Sequence, residues 1–116
     1  MRKQEQTATR ASTDTILIYV TSANKAEADK LARTLLLEHL VAGANIIDNV
    51  HSTFWWKGEL TRATEAVCVF KSVRKHFTGI NKRIKELHSY ETPCVLALPV
   101  LDGNPDFLEW VAASCS

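Results

Sequence analysis

The sequence predicts an α+β fold in one domain, ordered strand, helix, strand, strand, helix, strand, with a short helix after the last strand. Three observations predict it. A β-branched run opens the folded region at Thr15–Thr21. An apolar stripe of Val73, Phe77, Ile80, Ile84 and Leu87 recurs at helical spacing. Between them, Thr53-Phe54-Trp55-Trp56 runs into Lys57-Gly58-Glu59 and then a second alternating strand.

The elements follow in order. After the first strand, Asn24 with Glu27 has capping-box spacing and predicts a helix start. Ala28, Leu31, Ala32 and Leu35, continued by His39 or Leu40, form its apolar stripe, and Gly43 is expected to end it. Residues 44–56 prefer strand, with a bulge or bend expected at Asp48-Asn49. The third strand, Thr61–Lys71, places Glu65, Val67, Val69 and Lys71 on one face and Ala66, Cys68 and Phe70 on the other. Ser72 is the expected N-cap of the second helix. Pro93 stops that helix, and Cys94–Leu101 reads as a fourth strand placed at an edge by Pro99. Asn104 followed by Pro105 starts a terminal helix carrying Phe107, Leu108, Trp110 and Val111.

With right-handed crossovers this order is a ferredoxin-like βαββαβ sandwich, one antiparallel sheet with both helices on one face. The opposite face is left bare. Trp55 and Trp56 are adjacent and so face opposite sides of the sheet, and one indole needs a covering surface that a small domain lacks. Burying a large aromatic is worth about 4–6 kcal/mol as an upper bound, comparable with the whole stability of a small domain. An oligomer of the same chain is expected.

Composition narrows the function classes. The 116 residues suffice for one core, with 46% hydrophobic and 23% charged residues. A net charge of +1 gives no field for nucleic acid or anionic membrane. No stretch approaches the ~20 apolar residues of a membrane-spanning helix. Residues 1–13 are polar and lack a signal-peptide core; they are expected to form a disordered tail before a single domain over 14–116. Cys68, Cys94 and Cys115 are odd in number and lack CxxC spacing, which reads as a reduced cytoplasmic protein.

Candidate sites are few. His88, Glu91 and Cys94 form an H-x2-E-x2-C array entering the fourth strand, a donor set suited to Zn or Cu(I). The signal is weak without paired ligands, and the alternative is that His88 and Tyr90 hydrogen-bond locally at a subunit junction. Glu65 stands where an apolar residue is expected; Lys71 or Arg62 would be its ionic partner. Trp56, Glu65, Lys71 and Tyr90, together with His88, are candidates for the lining of a cleft between subunits. The basic cluster Lys71, Arg74, Lys75, Lys82, Arg83 and Lys85 is most simply a solvated helix face, because the base-stacking aromatics of an RNA-binding sheet are missing. No nucleophile–base pair, GxSxG, phosphate-binding glycine loop or HExxH is present, and no enzymatic activity is expected.

Five segments carry a family resemblance: Leu40–Ile47, Thr53–Glu59, Glu86–Pro93, Ala97–Val100 and Gly103–Trp110. In order and spacing they resemble the CutA family of divalent-cation tolerance proteins across nearly the whole folded region. The resemblance implies a homotrimer similar in architecture to the PII signalling proteins, with Phe54, Trp55, Trp56 and Trp110 at its interface. It also implies a cytoplasmic setting and a role in tolerance to copper and other divalent metals, with Cu or Zn bound weakly and no cofactor required. A PII-like sensor binding a small molecule or anion in the inter-subunit cleft is the alternative. The sequence departs from the family pattern at Gly43, where cysteine is frequent, at Ser89, where proline is, and at Cys94, where glutamate is. Tyr19-Val20-Thr21 also lacks the cysteine that some members place there as a copper ligand.

Overall fold

The computed structural model describes residues 13–116, so the tail expected over 1–13 lies outside the described residues except for Thr13. Strands β1 (Thr15–Ser22), β2 (Gly43–Trp56), β3 (Glu59–Val73) and β4 (Val95–Pro99) form one sheet in the order β2-β3-β1-β4. Every pairing is antiparallel. Helices α1 (Lys25–Leu37) and α2 (Phe77–Leu87) cover one face, and α3 (Pro105–Ser114) follows β4. This is the predicted ferredoxin-like order.

The alternation along each strand decides what is buried. Ile16, Ile18 and Val20 of β1 and Ala66, Cys68 and Phe70 of β3 pack against Ala28, Leu31, Leu35, Ile80 and Ile84 of the two helices. The Cys68 thiol is pushed up to about 11 by burial, with Asp29 and Glu27 adding to the shift, and it is an inert core group. Neither of these two helices covers the opposite face; α3 meets it at one end, where Trp110 lies beside Gly43 and Lys71. On that face Leu96 pairs with Tyr19 and Leu98 with Leu17, and Leu96, Leu98 and Ile47 stay exposed.

β2 and β3 are much longer than β1 and β4, so their hairpin projects past the layered core and stretches the chain to 55 Å. The bulge expected at Asp48-Asn49 is present as a register shift between Ile47 and Val50, with Asn49 at φ 58°. Lys57 (φ 50°) and Gly58 (φ 82°) close the hairpin as a two-residue turn with positive φ at both positions.

Three boundaries differ from expectation. Helix α1 ends at Leu37, well before Gly43, and the left-handed position is taken by His39 (φ 59°). His39 N–H donates to Leu36 O and Leu40 N–H to Leu35 O, the two bonds of a Schellman ending. Gly43 instead opens β2, in a place where an added side chain would touch Trp110 and Lys71. Ser72 is not an N-cap: it is fully buried at the end of β3, and its hydroxyl donates to Leu40 O at 2.6 Å. A 3-10 turn at Arg74–His76 then leads into α2 without a side-chain cap. β4 is also shorter than the Cys94–Leu101 expected, because Pro93 and Pro99 bracket the residues able to pair.

Helix α3 begins as the sequence predicts, with the Asn104 side chain accepting from Asp106 N–H and Pro105 in the first turn. Val111 and Cys115 bury against Ala42 and Val73, and ring nitrogens of His39 and His76 donate to Ser114 O and Cys115 O at its C-terminal end.

Candidate functional site

The bare sheet face is shaped into a cleft by residues 88–94, the connection between α2 and β4. That connection is held by hydrogen bonds rather than by regular structure. The His88 ring is fully buried; its Nε2–H donates to Thr21 O at 2.7 Å, and its Nδ1 accepts from Tyr90 N–H at 3.0 Å. These partners fix the neutral Nε2–H tautomer. Glu27 holds the same segment to α1, with Oε1 accepting from Ala23 N–H and Oε2 from Ser89 N–H. Burial opposes the Glu27 charge, yet the bonds from Ala23 and Ser89 outweigh it and lower its pKa.

So anchored, Tyr90 reaches back over the sheet. Its hydroxyl donates to Glu65 Oε2 at 2.7 Å, and its ring lies 4.8 Å from that of His88. Burial first, and then the Glu65 carboxylate, raise the Tyr90 pKa, which keeps the phenol protonated as a donor. Glu65 is only 5% exposed, and its Oε1 has no hydrogen-bond partner among the described residues.

Around this pair the face forms a cleft of about 880 Å³, walled by Tyr19 and Thr21 of β1, Phe54 and Trp56 of β2, and residues 89–92 with Cys94. Among the described residues its charged lining groups are Glu65 and Glu91, with no lysine or arginine. A second, shallower concavity of about 530 Å³ lies on the hairpin and is polar, with His51, Thr53, Arg62 and Thr64 among its walls.

The candidates from the sequence are thus divided. Trp56, Glu65 and Tyr90 share one cleft. Lys71 does not join them: it lies near the Gly43 end of β3, where its ammonium donates to the Asn45 side chain. Arg62 is no partner for Glu65 either, since alternation along β3 puts it on the opposite face, paired with Thr53. Glu91 and Cys94 line the cleft, but both nitrogens of His88 are occupied and its ring is turned into the fold. Within one chain the H-x2-E-x2-C donors therefore do not fit a metal centre, and no group of three or more His, Cys, Asp or Glu among the described residues could hold an ion.

Of the four interface candidates, Phe54 and Trp56 face the cleft, and Trp55 (73% exposed) points to the other side. Trp110 packs with Phe107 at the far end, near Gly43. Tyr19 and Thr21 are walls that the sequence reading missed. Strand alternation could have found them, since both sit between the buried positions of β1.

Fold and cleft together define a ferredoxin-like domain with an unshielded apolar sheet face and an acidic, aromatic pocket. The CutA1 divalent ion tolerance protein family matches residues 16–114, and the chain belongs to that family. It is 37% identical to the divalent-cation tolerance protein CutA of Archaeoglobus fulgidus over 94 residues, covering 81% of this chain and 91% of that protein. It is 32% identical to a chloroplastic CutA 1 of Oryza sativa subsp. japonica over 91% of this chain and 60% of that longer protein. The structure of a protein described as the periplasmic divalent cation tolerance protein CutA from Archaeoglobus fulgidus superposes with a TM-score of 0.85 at 34% identity, covering 88% of this chain and 99% of that one. Relatives thus carry different compartments in their names. Among the described residues, no helix is long and apolar enough to cross a membrane.

Proposed function

We propose that this chain is a non-enzymatic homotrimer of the cytoplasm that serves tolerance to divalent metals, copper among them. The observation that carries the reading is the uncovered sheet face: Ile47, Leu96, Leu98, Phe54 and Trp56 are all exposed on it, in a family fold whose helices α1 and α2 cover the other side. Such an area favours self-association over exposure to water. Divalent-cation binding is weak on this reading and requires no resident cofactor. Its donors are Glu91 and Cys94 brought together from more than one subunit, because a single chain does not gather a ligand set.

Light scattering and calorimetric titration test both parts. A trimer mass at micromolar concentration is expected, with weak heats for Cu(II) and Zn(II) that decline in Glu91→Gln and Cys94→Ser. A monomer sinks the assembly. Silence with both metals removes direct binding and leaves an indirect route to tolerance.

A second reading, a small-molecule sensor, is favoured by one observation, the size and lining of the cleft. Its roughly 880 Å³ lies within the range of about 300–1,000 Å³ typical of small-ligand pockets.

A further inference from the structure

We propose that the cleft is a binding site for a small organic cation, an alkyl- or arylammonium, seated on Glu65 between aromatic walls. The proposal deepens the sensor reading by assigning a ligand class.

Charge comes first. Glu65 is buried on the cleft floor with one carboxylate oxygen bonded to Tyr90 and the other without a partner among the described residues. A buried acceptor with a free lone pair calls for a donor, and a buried anion calls for a cation. The remaining charged lining group, Glu91, has the same sign, and no lysine or arginine among the described residues lines the cleft. The anion considered for this fold therefore meets repulsion here.

The walls select the kind of cation. Tyr19, Phe54, Trp56 and Tyr90 present four aromatic rings to one space. Ring faces attract ammonium groups through their quadrupole while tolerating the attached carbon chain, a combination that a strongly hydrated metal ion does not exploit. Trp56 already takes a cation in this way: Lys57 Nζ lies 5.5 Å from its ring centroid. The cleft is also far larger than an ion.

Geometry holds the recognition group in place. The Tyr90 hydroxyl orients Glu65 from one side, and the bonds from His88 and Glu27 fix the segment that carries Tyr90. One carboxylate oxygen is thereby left without a partner among the described residues, as an N–H donor on the ligand requires.

The experiment titrates the whole protein with three probes of matched length, butylammonium chloride, 1-butanol and sodium butanoate, by calorimetry and tryptophan fluorescence. Saturable binding of butylammonium is expected, at least tenfold tighter than either of the others. Glu65→Gln, which retains shape and an acceptor for Tyr90, weakens it at least tenfold, and Trp56→Leu weakens it several-fold. Circular dichroism checks that each variant is folded. Equal affinity for the alcohol or the carboxylate overturns the proposal. So does saturation by Zn(II) or Cu(II) alone, which leaves the metal reading standing. Absence of probe binding in a protein that scatters as a trimer means that a neighbouring copy fills the cleft, and this too overturns the cation site without touching the assembly. Butylammonium binding by a monomer supports the site and sinks the trimer.

Discussion

The Tyr90 hydroxyl donates to Glu65 Oε2 at 2.7 Å, joining the loop before β4 to the inner strand β3 across the uncovered face. This bond spans 25 residues of sequence and sets one wall of the cleft relative to its floor. Its energetics follow from burial. Tyr90→Phe leaves a buried carboxylate without its donor and is expected to destabilise the fold by about 1–3 kcal/mol. Glu65→Leu combined with Tyr90→Phe should cost less than the sum of the two single changes, because the orphaned group is then absent. Urea unfolding of the four proteins measures the coupling, and strict additivity would show that the bond contributes nothing.

The second prediction concerns acid. Glu27 has a folded pKa below its unfolded value of about 4.3. A depressed carboxyl contributes stability that is complete above the unfolded pKa and is lost as pH falls through the folded one. The stability gap between wild type and Glu27→Gln should therefore be constant above about pH 5.5 and shrink progressively toward pH 3. A gap that stayed level through that range would mean that the bonds to Ala23 and Ser89 do not select the ionised form.

Assembly supplies a third test. Leu98 is on the bare face opposite Leu17, and Trp56 is on the same face near the hairpin tip, whereas Trp55 points the other way. Leu98→Lys would place a charge in the proposed interface and should give a folded monomer at micromolar concentration. Trp56→Ala should loosen the oligomer more than Trp55→Ala does. Light scattering that finds all three still trimeric on dilution refutes this assignment of the interface.

The hairpin turn gives the fourth. Lys57 and Gly58 both have positive φ, and only glycine adopts that region without steric cost. Gly58→Ala should cost about 1–2 kcal/mol. Lys57→Asn, which creates the Asn-Gly pair favoured in two-residue hairpins, should leave stability unchanged or raise it slightly. Thermal unfolding compares the two, and a neutral Gly58→Ala would show that the turn readily adopts another conformation.

Much of the fold was legible because alternation and helical spacing are local. The Ala66, Cys68, Phe70 face of β3 and the Ile80, Ile84 stripe of α2 could be assigned to the core without any knowledge of their partners. Boundaries were less legible where a side chain answers to something distant. Ser72 looks like a helix cap but hydrogen-bonds Leu40, and Gly43 looks like a helix end but makes room beside Trp110. The candidate site divided in the same way. Trp56, Glu65 and Tyr90 converge, while Lys71 shares the face of Glu65 yet lies too far along the strand to join them. For His88 the sequence left open a metal ligand or a loop residue making hydrogen bonds, and its bonds, to Thr21 O and Tyr90 N–H, are of the second kind, with backbone atoms that no spacing pattern names.

By itself the sequence determined the order of the elements, the side of each strand that is apolar, and the family, because these depend on residues near one another in the chain. Only the tertiary structure decided that Glu65 meets Tyr90 rather than Lys71, and that the histidine of the loop is spent on structure. Those outcomes depend on how far apart two strand positions lie and on which backbone groups need partners once buried, and both are settled only when the layers pack.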